Sequence, residues 1–349
     1  MIPTMDGVAW HFTGPPGCEV DDLGFKRPWD NHGCAASDTP FELGQLAYEE
    51  FWMEYCQILI RRQKRWDQID PRRNPKCLRR FIHKGIPHVL RKDIWLRNSP
   101  PRGTPDPNYT VPFEVVESIR KDLQRTFPDN IFLSTTTSRN ALGRMLFHLA
   151  HHVPLIGYCQ GLNFVAGLIL LVVKDENRAT DLLISQVSKR QEMYDPKLSG
   201  LRRDIRVLHA LLWSRCEKFC NLLDELNIGL ELFVTKWFVC WYVEVLPMET
   251  VLRIWDCLFY DGDVWLFRIA VRLIREHQNI LIRAKTIDQL IQAFNDLGKT
   301  AYALNCHRLL ADAKFEPIDQ NLVDKLRASE ELDYDEMESE EASDKLTKT

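Results

Sequence analysis

The sequence predicts an all-α protein: one large multi-helix domain between an N-terminal and a C-terminal tail. Apolar residues recur every three or four positions over most of the chain beyond residue 114, which is the period of a helix. No run of alternating strands bounded by hairpin turns is present. With 45% hydrophobic residues, 10 Trp and 17 Phe in 349 residues, the chain can bury a sizeable core. No fixed-period repeat is visible, so a solenoid is not expected.

The N-terminal part contains two different segments. Residues 1–40 are rich in Gly, Pro, Asp and Asn, and we expect a loosely ordered leader there. In 41–77 an amphipathic helix is predicted first, because Leu43, Leu46 and Phe51 share a helical face, and a basic linker with several prolines follows it. The main domain is therefore expected to span 78–315.

Within that domain each apolar stripe indicates a helix. Val115, Ile119 and Leu123 form one stripe that ends before Pro128, and the five prolines of 99–112 indicate a loop. Further helices are predicted at 141–151, 162–173, 179–188, 204–226, 230–245, 248–259, 265–283 and 287–297. Residues 316–349 are expected to form an acidic disordered tail, because 330–344 contain nine acids and no base.

The formal net charge of −4 conceals a basic run at 61–92, where twelve Lys/Arg face two Asp and give a local charge of +10. A solvated helix face is the simplest interpretation, and weak peripheral contact with an anionic membrane is an alternative. Nucleic-acid binding is not expected, because only Trp66 and Phe81 interleave the bases and no nucleic-acid motif is present.

The cysteines and the apolar runs bear on the compartment. Ten cysteines are scattered along the chain without a CxxC pair, which favours free thiols in a reducing, cytoplasmic setting. The residues before Gly17 show no signal peptide. The longest apolar run, 164–173, is too short to span a bilayer, which takes about twenty residues, so no transmembrane segment is predicted.

Motifs of self-contained catalysis are missing: the sequence has no phosphate-binding G-x-x-x-x-G-K-[ST], no G-x-G-x-x-G after a strand, no H-E-x-x-H and no G-x-S-x-G. His148, His151 and His152 lack an acidic or thiolate partner at a matching spacing, so no metal site is expected. Cys159 lies nearby without a triad pattern, and a small buried apolar residue is the simpler interpretation.

Two short segments carry chemistry that is not explained by packing alone. Asp122 and Arg125 are i, i+3 on a predicted helix, so their side chains share a face, although an ordinary surface ion pair would look the same. Gln160 lies between Gly157 and Gly161 where a loop enters the next helix, and it offers both a donor and an acceptor. A helix start with glycine spacers is the alternative there.

Taken together, these segments resemble the TBC (Tre-2/Bub2/Cdc16) domain of Rab GTPase-activating proteins over about residues 80–312. The motifs occur in the family's order: Gly85-Ile86-Pro87-x3-Arg91-x3-Trp95, Ile119-x2-Asp122-x2-Arg125, Tyr158-Cys159-Gln160-Gly161, Trp237-Phe238 with Leu246-Pro247, and Arg253-Ile254-Trp255-Asp256. The amino-acid sequences of 126–130 and 249–259 predict a closer similarity to one branch of the family.

The resemblance implies a GTPase-activating protein of vesicle trafficking that acts on a GTP-bound Rab and is not itself a hydrolase. Arg125 would be its arginine finger and Gln160 its glutamine finger. Supporting roles fall to Ile119, Asp122, Tyr158, Gly161 and Asn163, and Arg91 and Trp95 would be partner-binding or architectural.

The resemblance also implies no cofactor of its own, since GTP and Mg²⁺ belong to the partner, and a cytoplasmic place, peripheral at intracellular membranes. A non-catalytic TBC scaffold that binds a GTP-loaded GTPase without activating it is the alternative. Residues 96–100 and the proline-rich 99–112 depart from the family's pattern, and a reshaped rim of the domain is expected there.

Overall fold

The computed structural model describes residues 11–15, 18–26, 40–70 and 73–330. Within these ranges there are helices and no β-strand, as predicted, and the only β-pairing there is an isolated bridge between Val20 and Lys26. The helices are α1 (Pro40–Ile69), α2 (Pro75–Lys84), α3 (His88–Leu96), α4 (Phe113–Leu123), α5 (Thr136–His152), α6 (Leu162–Val173), α7 (Glu176–Ser188), α8 (Ser199–Trp213), α9 (Glu217–Glu225), α10 (Glu231–Val239), α11 (Met248–Asp261), α12 (Val264–Leu281), α13 (Ile287–Leu297), α14 (Ala301–Leu304) and α15 (Cys306–Lys314).

Most predicted helices exist, and the differences have local causes. The predicted helix 204–226 is split into α8 and α9 by the turn at 214–216, because Cys216 adopts a non-helical backbone there. The predicted helix 230–245 ends at Val239, since Trp241 and Tyr242 have φ of 46° and 69°, which interrupt a right-handed helix. The basic linker is largely helical: Asn74 caps α2 by accepting from the backbone N–H of Lys76.

Two groups of helices pack around α3. Helices α4 to α7 pack against one another, and α3 contacts α6 and α7 of this group. In the second group α12 packs against α8, α10, α11, α13 and α15, while α11 also contacts α3. Helices α6 and α11 are buried on nearly all sides. For α6 this explains its continuous apolar run in the sequence, whereas α11 also buries the charged residues Glu249, Arg253 and Asp256.

Part of the predicted leader is packed into the domain, which corrects the expectation of a loosely ordered 1–40. Phe12, Leu23 and Phe25 are buried in the core, and the Asp21 carboxylate accepts from the backbone N–H groups of Thr13, Leu23 and Phe25. The aromatic residues of this segment could have indicated its burial, because aromatic side chains contribute large apolar areas to a core. Residues 1–10 and 27–39 lie outside the described residues.

The predicted boundary at 315 is also wrong. Residues 320–330 are helical, and Ile318 and Val323 are buried. Arg327 forms a two-pronged ion pair with Asp204 of α8, at 2.7 and 2.6 Å. Because the acidic run at 330–344 follows directly, the whole of 316–349 was predicted as one disordered tail. The residues of the acidic run beyond 330 lie outside the described part of the chain.

Helices of the described ranges are all too short or too polar to cross a membrane. The nine cysteines of the same ranges are free thiols. Burial raises the pKa of several of them, for example Cys216 to about 11 and Cys220 to about 12, so they stay protonated.

Candidate functional site

Arg125 projects from the end of α4. The helix ends at Leu123, and Arg125 follows in a turn in which its backbone N–H donates to the Asp122 carbonyl at 3.2 Å. Its guanidinium is half exposed, and Nη2 lies 2.7 Å from Oδ1 of Asp122, whose own side chain is only 8% exposed. The predicted ion pair therefore exists, but it is not an ordinary surface pair, because its carboxylate is buried.

Gln160 lies in the loop between α5 and α6. Gly157 and Gly161, on either side of it, have φ of +57° and +109°. A Cβ at Gly161 would lie 2.8 Å from Cys240 Sγ, so glycine is required both for the backbone conformation and for the close approach. The Gln160 side chain is exposed and makes no hydrogen bond to another described residue, which leaves its amide available to a partner.

A tyrosine joins the two loops. Tyr158 Oη donates to Asp122 Oδ2 at 2.5 Å, while the other oxygen of the same carboxylate binds Arg125. Burial, and then the hydrogen bond to Asp122, raise the pKa of Tyr158 far above its usual value. The hydroxyl therefore keeps the proton with which it holds Asp122.

A second connection passes through Asn163, which is fully buried in the first turn of α6. Its Oδ1 accepts from the backbone N–H of Gly161 at 3.1 Å, and its Nδ2 donates to Thr126 Oγ1 at 2.8 Å. Thr126 in turn donates to the Asp122 carbonyl at 2.7 Å. The loops of Arg125 and Gln160 are thus held together by a closed set of hydrogen bonds, which fixes both side chains on rigid supports.

The two exposed side chains line one open depression of about 400 Å³, whose lining residues are Ser118, Lys121, Asp122, Arg125, Tyr158 and Gln160. Two cations and one already paired carboxylate give it a net positive character, which suits a negatively charged group of a partner. The structure therefore brings together the two residues that the sequence predicted as fingers, from segments 35 positions apart.

The other predicted supporting residues lie where they can act. Ile119 is a core residue of α4 that anchors the helix from which Arg125 projects. Thr126, Ser118 and Lys121 were not predicted from the sequence. Since Ser118, Lys121, Asp122 and Arg125 follow the i, i+3, i+4, i+7 spacing of one helix face, that spacing could have revealed two of them.

Arg91 and Trp95 are buried, with exposed fractions of 1% and 3%, so they cannot contact a partner as the structure stands. Arg91 Nε and Trp95 Nε1 both donate to Asp256 Oδ1 of α11, at 3.1 and 3.0 Å. Of the two roles predicted for them, the geometry fits the architectural one: they bind α3 to α11. The expectation that the basic run is a solvated face fails at Arg91 and at Arg62, which is also buried.

The histidines at the end of α5 hold the proline-rich loop. His151 Nε2 pairs with the Tyr109 carbonyl at 3.0 Å and His152 Nε2 with the Gly103 carbonyl at 2.9 Å. No group of three His, Cys, Asp or Glu arranged to hold a metal ion occurs in the described ranges. Burial raises the pKa of Cys159, which disfavours the reactive thiolate.

Comparison with known proteins gives the same family that the motifs indicated. The model of the Rab-GTPase-TBC domain family matches residues 104–282. Over 318 residues the chain is 49% identical to Growth hormone-regulated TBC protein 6 of Caenorhabditis elegans, covering 90% of this chain and 93% of that protein. It is 32% identical over 330 residues to human Growth hormone-regulated TBC protein 1, covering 89% and 94%.

The branch predicted from 126–130 and 249–259 was the growth hormone-regulated TBC proteins, and these relatives confirm it. Among solved structures, the Chlamydomonas flagellar RabGAP TBC domain superposes with a TM-score of 0.64 at 22% identity, covering 84% of this chain and 99% of that one. At that identity the superposition supports the fold alone.

Proposed function

The chain belongs to the Rab-GTPase-TBC domain family, and from this we propose that it is a GTPase-activating protein that lends Arg125 and Gln160 to a GTP-bound Rab-family GTPase. The observation that carries the proposal is that both side chains are exposed in one depression while the loops bearing them are locked together. Its relatives and its fold support the family. The roles of the two residues come from the resemblance of their motifs to those of the family, and their exposure in one depression supports them.

The proposed chemistry concerns the partner's nucleotide. In GTP hydrolysis negative charge develops on the transferring phosphoryl group, and an arginine supplied by another protein stabilises it, with an effect of about 10³–10⁵ on the rate. Arg125 would supply that charge. Gln160 would orient the attacking water, because its amide can accept from the water and donate to the phosphoryl oxygen.

The remaining residues of the site prepare the two fingers. Asp122 holds the Arg125 guanidinium in one direction, so little rotamer freedom is lost when the partner binds. Tyr158, Asn163 and Gly161 do the same for the loop of Gln160. The protein itself would hold no nucleotide or metal: GTP and Mg²⁺ would come with the partner, and the chain would not be a hydrolase on its own.

The test is single-turnover GTP hydrolysis across a panel of GTP-loaded Rab proteins. We expect at least one Rab to respond to the wild type, Arg125→Lys to remove nearly all of the stimulation, and Gln160→Ala to reduce it strongly. Two matched controls lie near Arg125: Arg120→Lys in α4 and Gln124→Ala just after α4 change exposed residues that do not line the depression, and they should keep the activity.

The alternative is a non-catalytic scaffold that binds a GTP-loaded GTPase. It predicts that several Rab proteins bind while none is stimulated. A stimulated rate that survives Arg125→Lys would show instead that the arginine has another role. A cytoplasmic location, peripheral at intracellular membranes where prenylated GTPases reside, is part of the proposal, and the basic run at 61–92 supports it.

A further inference from the structure

We propose that the chain has a second site, a cleft between α1, α2 and α15 that binds a ligand carrying two or more phosphate groups. The cleft has a volume of about 510 Å³, and its lining residues are Ile58, Arg61, Arg62, Arg65, Trp66, Ile69, Arg80, Phe81, Lys84 and His307. The inference goes beyond the proposed function, since it needs neither Arg125 nor Gln160.

The lining of the cleft is strongly positive. Five of its side chains are Arg or Lys and none is an acid. Burial lowers the pKa of Lys84, and the nearby charges of Arg80 and Arg65 lower it further. Burial likewise lowers the pKa of His307, and Arg62 and Arg61 add to the effect. The cations are therefore close enough to repel one another, and a polyanion would relieve that repulsion.

Arg62 is 94% buried, and two of its nitrogen donors have no acceptor among the described residues. Nη1 donates to Tyr55 Oη at 3.1 Å, but Nε and Nη2 have no hydrogen-bond partner among the described residues. Its guanidinium is packed against Gly85, where an added Cβ would lie 2.3 Å from Arg62 Cζ. A buried cation with unfilled donors is costly, and a phosphate bound in the cleft that Arg62 lines would offset this cost by neutralising its charge.

The carboxylates near the cleft bind residues other than the lining cations. Glu249, which shares the Tyr55 hydroxyl with Arg62, also binds Arg91 with its carboxylate oxygens. On α1, Asp67 accepts from Gln63 and does not line the cleft. No carboxylate of the described residues is therefore placed to neutralise the cluster, unlike Arg91, whose charge is matched by Glu249 and Asp256.

Two aromatic residues, Trp66 and Phe81, line the cleft beside the cations. Trp66 and Phe81 meet edge to face with their ring centroids 5.6 Å apart, and Trp66 Nε1 is fixed by the Gly85 carbonyl at 3.0 Å. Trp66 is only 2% exposed and supports the partly exposed Phe81. The Phe81 ring beside a cluster of cations suits a phosphorylated polyol, because the carbon ring can pack while the phosphates pair. Both the headgroup of a multiply phosphorylated lipid and a soluble inositol polyphosphate have this chemistry.

All the lining residues lie outside residues 104–282, the range that matches the family model. They belong to α1, α2 and the start of α15, whereas the depression with Arg125 and Gln160 is formed by α4 and the loop before α6. The cleft is thus a separate site of this chain, and its ligand would not compete directly with the Rab protein for the two finger residues.

The experiment measures binding of the full chain to two probes. Calorimetric titration with inositol hexakisphosphate tests the soluble source. Flotation with phosphatidylcholine vesicles that contain phosphatidylinositol bisphosphate, compared with vesicles that contain phosphatidylserine at equal total charge, tests the lipid source. We expect the wild type to bind at least one of these phosphate-rich probes, and to bind phosphatidylserine vesicles less.

The decisive comparison is between two double variants that remove the same charge from the same helices. Arg65→Ala with Arg80→Ala removes two exposed lining cations, and Lys64→Ala with Lys76→Ala removes two exposed cations that do not line the cleft. The first should weaken binding by about tenfold per charge, because each loses a charge-assisted contact, and the second by much less.

Equal losses in the two double variants would overturn the proposal, because they would show a general attraction rather than a site. Failure of the wild type to bind either phosphate-rich probe would also overturn it. Circular dichroism establishes that each variant is folded. GTPase stimulation in solution, without vesicles, should be unchanged in both, so the outcome does not depend on the proposed Rab activity.

Discussion

The hydroxyl of Tyr158 lies 2.5 Å from Oδ2 of Asp122, so the carboxylate that orients the arginine loop is itself held by the glutamine loop. Neither loop can shift without disturbing the other. This coupling explains how two side chains from separate loops stay directed at one depression before any partner is present.

Tyr158→Phe keeps the aromatic ring and removes the hydroxyl, which holds Asp122 and also lies 3.2 Å from Asn163 Oδ1. We expect the maximal stimulated hydrolysis rate to fall about tenfold, because the loss of a charge-assisted hydrogen bond of about 1.5–3 kcal/mol loosens both fingers. The concentration of GTP-loaded Rab that gives half-maximal stimulation should change little, since neither finger is removed. Single-turnover kinetics at several concentrations separate the two effects.

Tyr109→Phe is the matched control, because Tyr109 lies in the proline-rich loop, where its ring contacts His151 of α5, and it does not line the depression. It should retain the wild-type rate. If Tyr158→Phe were as active as Tyr109→Phe, the hydroxyl would have no positioning role, and the coupling would be structural only.

Gly161→Ala tests the close approach beneath Gln160. The backbone there has φ of +109°, and the new Cβ would lie 2.8 Å from Cys240 Sγ and 3.0 Å from Val239 Cγ1. We expect a loss of about 1–3 kcal/mol in the free energy of unfolding, together with weaker GTPase stimulation, because the loop must move to relieve the strain.

Gly103→Ala serves as the comparison, since a Cβ at Gly103 would meet nothing within 4 Å. Its stability, measured by urea unfolding, should stay within about 0.5 kcal/mol of the wild type. A Gly161→Ala variant as stable and as active as this control would show that the glycine spacer is not required.

The sequence predicted the two fingers but not how they are joined. Arg125 and Gln160 are found by spaced motifs, which are local patterns. Thr126 was missed because its role depends on Asn163, which is 37 positions away in the chain and becomes adjacent only when α6 packs beside α4. Long-range side-chain pairing of this kind has no periodic signal.

The helices that were predicted correctly are those with a local pattern in the sequence, and long-range contacts account for the rest. Helix α6 was predicted with its observed bounds, because its apolar run is continuous. Helix α2 was not, since half of its ten residues are Lys, Arg or His and it begins at a proline. Its burial comes from contacts with α11 and α15, which composition cannot show. Arg91 looked solvated for the same reason: only the fold reveals that Asp256 and Glu249 surround it.

Acid stability should depend on Glu249. Burial opposes its ionisation, but Arg91, His88 and the hydrogen bond from Tyr55 outweigh burial and lower its pKa from 4.5 to about 2. Because the pKa is lower in the folded state, the stabilisation is complete above pH 4.5 and is lost as the pH falls toward 2. The free energy of unfolding should therefore decrease across this window.

Glu249→Gln should be less stable than the wild type near neutral pH by about 3 kcal/mol, since it leaves the buried Arg91 with fewer negative partners. Its stability should also fall less steeply between pH 4.5 and 2. Glu225→Gln, at an exposed position, is the control and should follow the wild-type curve. Parallel curves for the wild type and Glu249→Gln would contradict this account.

The helix at 320–330 should be needed for stability although the family match ends at residue 282. A chain cut after residue 330 retains all the contacts described here, and we expect its urea midpoint to match that of the full chain. A chain cut after residue 315 loses the buried Ile318 and Val323, each worth about 1.5–3 kcal/mol, and leaves the buried Asp204 without Arg327. Its free energy of unfolding should fall by at least about 3 kcal/mol. Equal midpoints for the two shortened chains would mean that residues 316–330, although packed against the domain, add nothing to its stability.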